Sequence, residues 1–263
     1  MGKWAARAAW RLYDMHCHLD RMADAEATAA DARELGLALL CCPIDPAGTL
    51  DARERLATEP NVRVAAGLHP WWVADAADLE GLVAHAVALA SRSRFVGEVG
   101  LDFSPRFAAT KARQLAAFEA VVAGLAEHPV ARRGRVLSVH AVRAAGAALD
   151  ILERYDLTRQ ARCVFHWFSG SGEELARVRA LDCYFSVGER MLATRRGRAY
   201  AAQVPEDRLL LETDYPVQLD TLCPAAQIAA SLERVLDLLA EARGTDRTAL
   251  AARIAQTSAE LFG

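Results

Sequence analysis

Leu12-Tyr13-Asp14-Met15-His16-Cys17-His18 is an apolar, strand-like run that closes with two histidines one residue apart. Alternate side chains of a β-strand share a face, so His16 and His18 project together and Cys17 points away. Two imidazoles on one face make a chelating pair. Later runs close in a related way: Glu98 after Arg94-Phe95-Val96-Gly97, His140 after Arg135-Val136-Leu137-Ser138-Val139, His166 after Arg162-Cys163-Val164-Phe165, and Asp214 after Leu209-Leu210-Leu211-Glu212-Thr213. Six nitrogen and oxygen donors at strand ends predict a metal site. They are more hard ligands than one ion usually takes, so two ions are expected.

Strand-like runs recur at Trp10 to His16, Leu37 to Pro43, Val62 to His69, Arg94 to Leu101, Arg135 to His140, Arg162 to His166, Cys183 to Gly188 and Leu209 to Asp214. Helical patterns lie between most of them, at Asp24 to Leu35, Leu79 to Ser91, Ala108 to Glu127, Ala144 to Tyr155, Glu173 to Leu181 and Arg190 to Gln203. Two more follow the last strand, at Ala225 to Ala242 and Asp246 to Phe262. Regular alternation of this kind predicts a parallel sheet, and its repeat number an α/β chain folded as a (β/α)8 TIM barrel with an extra C-terminal helix. A doubly wound open sheet is the alternative, but no glycine-rich phosphate loop follows any strand. No Pro/Gly/Ser-rich gap divides the chain, which predicts one domain over residues 1–263. In a barrel, strand ends of this polarity form the reactive face.

The 263 residues are 53% hydrophobic, enough for a sizeable core, and the formal net charge is −3. That charge gives no overall attraction to a polyanion, so contact with nucleic acid must be local and metal-assisted. The six cysteines form no C-x-x-C pair, and most lie in apolar runs, as reduced core residues do. No apolar stretch approaches the about 20 residues that span a bilayer, and Met1-Gly2-Lys3-Trp4-Ala5-Ala6 reads as neither a signal peptide nor a myristoylation site. The expectation is a cytoplasmic chain without a membrane partner.

Some further residues carry readings of their own. His69, in Gly67-Leu68-His69-Pro70, ends the third run and is placed to bind substrate phosphate or to supply a proton. Glu212 shares a face with Asp214. Asp214 sits better for ligation and for orienting an attacking water, and Glu212 for fixing a histidine tautomer from behind. Arg190, Arg195, Arg196 and Arg198 follow the seventh run as either a solvated helix face or a phosphate-binding arm. Trp71, Trp72, Trp167 and Phe168 follow ligand-bearing runs and could stack on unpaired bases or serve as lid and core. His85 and His128 fall in helical segments and receive no role.

Taken in order, Asp14-Met15-His16-Cys17-His18-Leu19-Asp20, Gly67-Leu68-His69-Pro70, Gly97-Glu98-Val99-Gly100-Leu101-Asp102, Gln114 to Phe118, His166-Trp167-Phe168-Ser169-Gly170, Phe185-Ser186-Val187-Gly188 and Leu211-Glu212-Thr213-Asp214-Tyr215-Pro216 resemble the TatD-like deoxyribonucleases of the metal-dependent hydrolase superfamily. The resemblance implies a two-metal DNase acting from the 3′ end on single-stranded or frayed DNA, in repair, turnover or anti-phage defence. It implies that His16, His18 and Asp214 hold one ion and His140 and His166 the other, with Glu98 bridging, Asp214 orienting the nucleophile and His69 touching phosphate. Mg²⁺ or Mn²⁺ is the metal implied, and the histidine-rich set also suits Zn²⁺. A carboxylated lysine bridge is not expected, since only Lys3 and Lys111 occur and neither ends a strand. The chain departs from the family pattern at Val121, where a second glutamine is common, at Ser258, where asparagine is common, and at Arg143, one place beyond the usual arginine.

Two other functions fit the same residues. One is a metal-dependent hydrolase of a small ester or amide, marked by a narrow closed pocket. The other is a partner-dependent subunit of a larger assembly, to be distinguished by gene neighbourhood.

Overall fold

The structure, a computed structural model, describes residues 10–130 and 134–263. Lys3 and the amino-terminal segment lie outside the described residues. The strands are β1 (Leu12–Cys17), β2 (Leu37–Cys41), β3 (Val62–Val64), β4 (Ala66–Leu68), β5 (Phe95–Asp102), β6 (Arg135–Val142), β7 (Ala161–His166), β8 (Tyr184–Val187) and β9 (Leu209–Leu211). The helices are α1 (Ala25–Glu34), α2 (Pro46–Arg55), α3 (Pro70–Asp75), α4 (Leu79–Ser91), α5 (Lys111–Glu127), α6 (Ala145–Arg154), α7 (Leu157–Gln160), α8 (Gly172–Ala180), α9 (Glu189–Leu192), α10 (Arg195–Gln203), α11 (Ala225–Arg243) and α12 (Arg247–Phe262).

All strand pairs are parallel, in the orders β1-β2-β3 and β4-β5-β6-β7-β8-β9. The two sheets join into one ring. β3 and β4 are the halves of a single run broken at Ala65, whose N–H still donates to Cys41 O at 2.9 Å. On the other side Asp214 N–H donates to His16 O at 3.0 Å and His18 N–H to Tyr215 O at 2.7 Å, tying the end of β9 to β1. The expected (β/α)8 barrel with its extra C-terminal helix is the observed fold.

Two extra residues set which side chains face the interior. From Asp14 to Cys17 β1 advances one residue more than its partner does from Leu39 to Cys41, and β5 does the same between Val96 and Val99 against β6. Tyr13 and Met15 share one apolar cluster with Ala38 and Leu40, and strict alternation from them would send His16 outward. The bulge turns His16 and His18 back inside. Simple period-two reading reached the right face for these residues without the bulge that puts them there.

The structure corrects the ends of several runs. Glu98 and His140 do not end their strands: pairing continues through Gly100 with His140 and on to Asp102 with Val142. Gly100 permits that contact, since with its φ of 145° a Cβ there would lie 2.0 Å from His140 O. α2 and α3 were not expected. Asp45 caps α2 by accepting from Gly48 N–H at 2.7 Å, with Pro46 in its first turn. The stretch from Arg190 to Gln203 breaks into α9 and α10 because Thr194 stops one and caps the other.

The end of the barrel away from the site is closed with hydrocarbon. Tyr13, Phe95, Val136, Val164 and Leu210 meet Leu261 and Phe262 of α12, and the Phe262 ring lies 5.7 Å from Tyr13 and 6.3 Å from Phe95.

Candidate metal centre

Glu98 is the centre of the opposite end. Its carboxylate is 2% exposed and its two oxygens face different imidazoles. Oε2 lies 3.4 Å from His16 Nε2 and 3.3 Å from His18 Nε2. Oε1 lies 2.5 Å from His140 Nδ1, 2.8 Å from His166 Nε2 and 3.3 Å from His69 Nε2. Asp214 Oδ1 completes the first side at 3.2 Å from His18 Nε2 and 3.9 Å from His16 Nε2. The groups His16, His18 and Glu98, then His16, His166 and Asp214, and then His69, Glu98 and His140 each bring ligand atoms close enough to hold a metal ion.

The donor set fits such an ion. His16 Nε2 is buried among these atoms without a hydrogen-bond partner, a costly state for an imidazole nitrogen unless a cation takes its lone pair. The other nitrogens hold the rings in place. His18 Nδ1 donates to Cys42 O at 2.8 Å, which fixes the ring and aims Nε2 at Glu98 and Asp214. His16 Nδ1 meets Ser138 Oγ at 2.7 Å, and its ring stacks on His166 with centroids 4.0 Å apart. Behind the second pair stand carboxylates: Asp102 Oδ2 is 3.8 Å from His140 Nε2, and Glu212 Oε2 is 3.8 Å from His166 Nδ1.

Electrostatics follow from burial set against these charges. Desolvation alone would raise the Glu98 carboxyl, but the rings of His69, His166, His140 and His16 hold it well below the usual range. Burial depresses His18, yet Asp214 and Glu98 outweigh it and raise that imidazole. His69 has only Glu98 to oppose desolvation, and its pKa falls to about 4. Asp14, fully buried, is pushed up to about 7 by desolvation despite accepting from Thr213 N–H at 3.0 Å.

His16, His18, His69, Glu98, His140, His166 and Asp214, all expected in the site from sequence, are therefore gathered at one place. Around His18, His69, Glu98, His140, His166 and Asp214 opens a cavity of about 700 Å³, also lined by Trp71, Trp72, Trp167 and Arg190. Trp71 and Trp167 are 38% and 37% exposed. Arg190 Nη1 donates to Asp214 Oδ2 at 3.2 Å and its guanidinium lies 5.2 Å from the centre of the Trp167 ring. Trp167 and Asp214 adopt φ of 40° and 56°, unusual for residues with a Cβ, and are held by Glu212 Oε1 on Trp167 N–H at 3.0 Å and by His16 O on Asp214 N–H.

The arginine arm falls elsewhere. Arg195, Arg196 and Arg198 do not line the cavity: Arg196 donates to Ser169 O at 3.2 Å and Arg198 to Leu192 O at 2.6 Å, both ending on backbone. Arg143 is exposed and also off the cavity. Two residues that sequence reading left without a role stand behind the site. Asp102 accepts from Trp71 Nε1 at 2.7 Å and from Ser104 N–H at 2.8 Å. Gln114 clamps it, accepting from Asp102 N–H at 2.7 Å and donating to Asp102 O at 3.0 Å. The signal was their place in two of the ordered motifs, Gly97 to Asp102 and Gln114 to Phe118, which named no role for either.

A family profile of TatD related DNases matches residues 13–263. The protein of Edwardsiella piscicida named 3′-5′ ssDNA/RNA exonuclease TatD is 40% identical over 162 residues, 59% of this chain and 58% of that protein. The chain thus matches somewhat over half the length of that relative. The protein of the same name from Cronobacter sakazakii is 31% identical over 210 residues, 75% of each. Among solved structures, a TatD homolog from Escherichia coli K12 superposes with a TM-score of 0.78 at 25% identity, covering 96% of this chain and 98% of that one. A TatD family hydrolase from Entamoeba histolytica shares the fold at a TM-score of 0.77 and 15% identity, over 97% of this chain and 99% of that one. With the profile spanning every element that carries a ligand, the chain belongs to the TatD related DNase family.

Proposed function

We propose that this chain is a metal-dependent nuclease that removes nucleotides from the 3′ end of single-stranded nucleic acid in the cytoplasm. The observation that carries the reading is the division of Glu98, one oxygen toward His16 and His18 and the other toward His140 and His166. A carboxylate so divided suits two cations, with His16, His18 and Asp214 holding one and His140 and His166 the other. Two divalent ions, Mg²⁺ or Mn²⁺ by family and Zn²⁺ by donor type, would supply an activated water and charge neutralisation at a phosphodiester.

The chain's own groups then divide the remaining work. Asp214, anchored by Arg190, accepts the proton of the attacking water at its carboxylate. His69 Nδ1 accepts from Trp71 N–H at 3.2 Å, and with a pKa near 4 the ring is neutral at pH 7, so its proton sits on Nε2 and can be donated to a phosphate oxygen. Water oxygen bonds to phosphorus as its proton passes to Asp214, the bond from phosphorus to the 3′ oxygen breaks, and that oxygen takes a proton from a solvent water while His69 only hydrogen-bonds the phosphate. Trp71 and Trp167 offer faces for unpaired bases. The relatives' name includes RNA, so both nucleic acids belong in the assay. Six free, buried cysteines accord with a reducing compartment, and among the described residues no helix is long and apolar enough to cross a membrane.

The test is digestion of end-labelled single-stranded DNA and RNA by metal-stripped protein, with Mg²⁺, Mn²⁺ or Zn²⁺ restored. The expected result is a metal-dependent ladder shortening from the 3′ end. Folded, metal-loaded protein that leaves both substrates intact would refute the reading.

A further inference from the structure

The cavity has a cation that the catalytic reading leaves idle. Arg21 lines it together with His18 and Asp214. Arg190, the other lining arginine, is already paired with Asp214. Among the described residues Arg21 forms no ion pair, and its buried Nε has no hydrogen-bond partner. The neighbouring Asp20 does not take it up: Asp20 Oδ1 accepts from the Cys41 thiol at 3.4 Å instead. The Arg21 backbone is fixed on both sides, with its N–H donating to His18 O at 2.9 Å and its carbonyl accepting from Asp220 N–H at 2.8 Å. Two further links, Ala23 N–H to Thr221 O at 3.0 Å and the bridge of Met22 with Thr221, bind this segment to the loop after β9. An arginine whose backbone is pinned at the cavity wall, with an Nε that lacks a hydrogen-bond partner and no carboxylate at ion-pair distance, is prepared for an external anion.

We infer that Arg21 binds the phosphate of the nucleotide unit next to the scissile bond. The inference rests on the nuclease reading of the cavity and adds to it the side from which the strand is gripped. Arg196 and Arg198 of α10 each donate to a backbone carbonyl and, with Arg195, stand off the cavity, so the cationic contact comes instead from the segment after β1, beside His18. Its consequence is a preference for substrates with more than one phosphodiester.

The experiment compares wild type, Arg21→Gln and Arg21→Lys, each checked for an unchanged thermal melt, on a short single-stranded oligonucleotide and on thymidine 5′-monophosphate p-nitrophenyl ester, which carries one phosphodiester. Arg21→Gln is expected to raise KM for the oligonucleotide about tenfold, with a smaller effect on kcat, and to reduce the slope of log KM against log salt by about 0.7, the share of one single-strand phosphate. The loss on the ester should be several-fold smaller, and Arg21→Lys should recover most of the salt slope. Equal losses on both substrates, or no change on either, would overturn the assignment. Binding of a fluorescent phosphorothioate oligonucleotide separates this from the nuclease reading. Binding weakened by Arg21→Gln in a protein that cuts nothing refutes the nuclease and keeps Arg21 as a phosphate contact, whereas equal binding by wild type and variant refutes Arg21.

Discussion

The two ends of this barrel are built from the same strands and do opposite things with their interiors. Toward the strand starts, Tyr13, Phe95, Val136, Val164 and Leu210 fill the space with hydrocarbon and Phe262 plugs it. Toward the strand ends, the equivalent inward positions are Glu98, His140, His166 and Glu212, all less than a tenth exposed. Burying apolar rings is favourable in itself, whereas burying a carboxylate among imidazoles is costly and is offset by the charge of the rings around Glu98. The lesson is that one end supplies the stability that lets the other be assembled from groups that would not choose to be dry.

That division can be broken experimentally. Glu98→Ala should lower nuclease turnover by about a thousandfold or more while the far-UV circular dichroism stays native, since it removes the group common to both sides of the site. Substantial residual turnover would mean that the polar end is not where the reaction happens. Phe262→Ala should do the reverse, losing about 3–5 kcal/mol in denaturant unfolding and leaving kcat of the folded fraction as it was. A kcat that fell with stability would show the ends to be coupled. Glu212→Gln sharpens the contrast: it keeps the size and the contact with Trp167 N–H but takes the charge from behind His166. An activity titration against metal concentration should shift by about 10–100-fold. The smallest effect belongs to neither end. Ser171 and Glu174 form a capping box on α8, and Ser171→Ala should cost about 1 kcal/mol with metal response unchanged.

The fold was legible because the strands are buried on both faces and so appear as largely apolar runs, unbroken in Leu37 to Cys41 and interrupted by Glu98 in Phe95 to Leu101. The side chains that cluster around Glu98 were legible because histidine and glutamate are conspicuous in such runs. What escaped was whatever depends on geometry between distant residues. Asp102 looks like any acidic residue until Trp71, Ser104 and Gln114 are seen around it. The arginine cluster after β8 reads equally as a solvated helix face or a phosphate arm, and of its members only Arg190 reaches the cavity, because α9 stops at Leu192 and α10 leads the others away. Arg21, one charge beside the H-x-H pair, gave no pattern to notice.

The bulges in β1 and β5 carry a consequence for how such a site can be inherited. They are set by the number of residues between two points, which no substitution alters. Swaps among Met15, Val96 and Val99 with other apolar residues leave the count intact. Loss of a single codon from either strand would leave composition and hydropathy almost as they were, and would turn His16 and His18, or Glu98, out toward the helices. For this lineage the length of two strands places the clustered side chains as surely as their identity does, and in-frame deletion joins point mutation as an event that selection must guard against there.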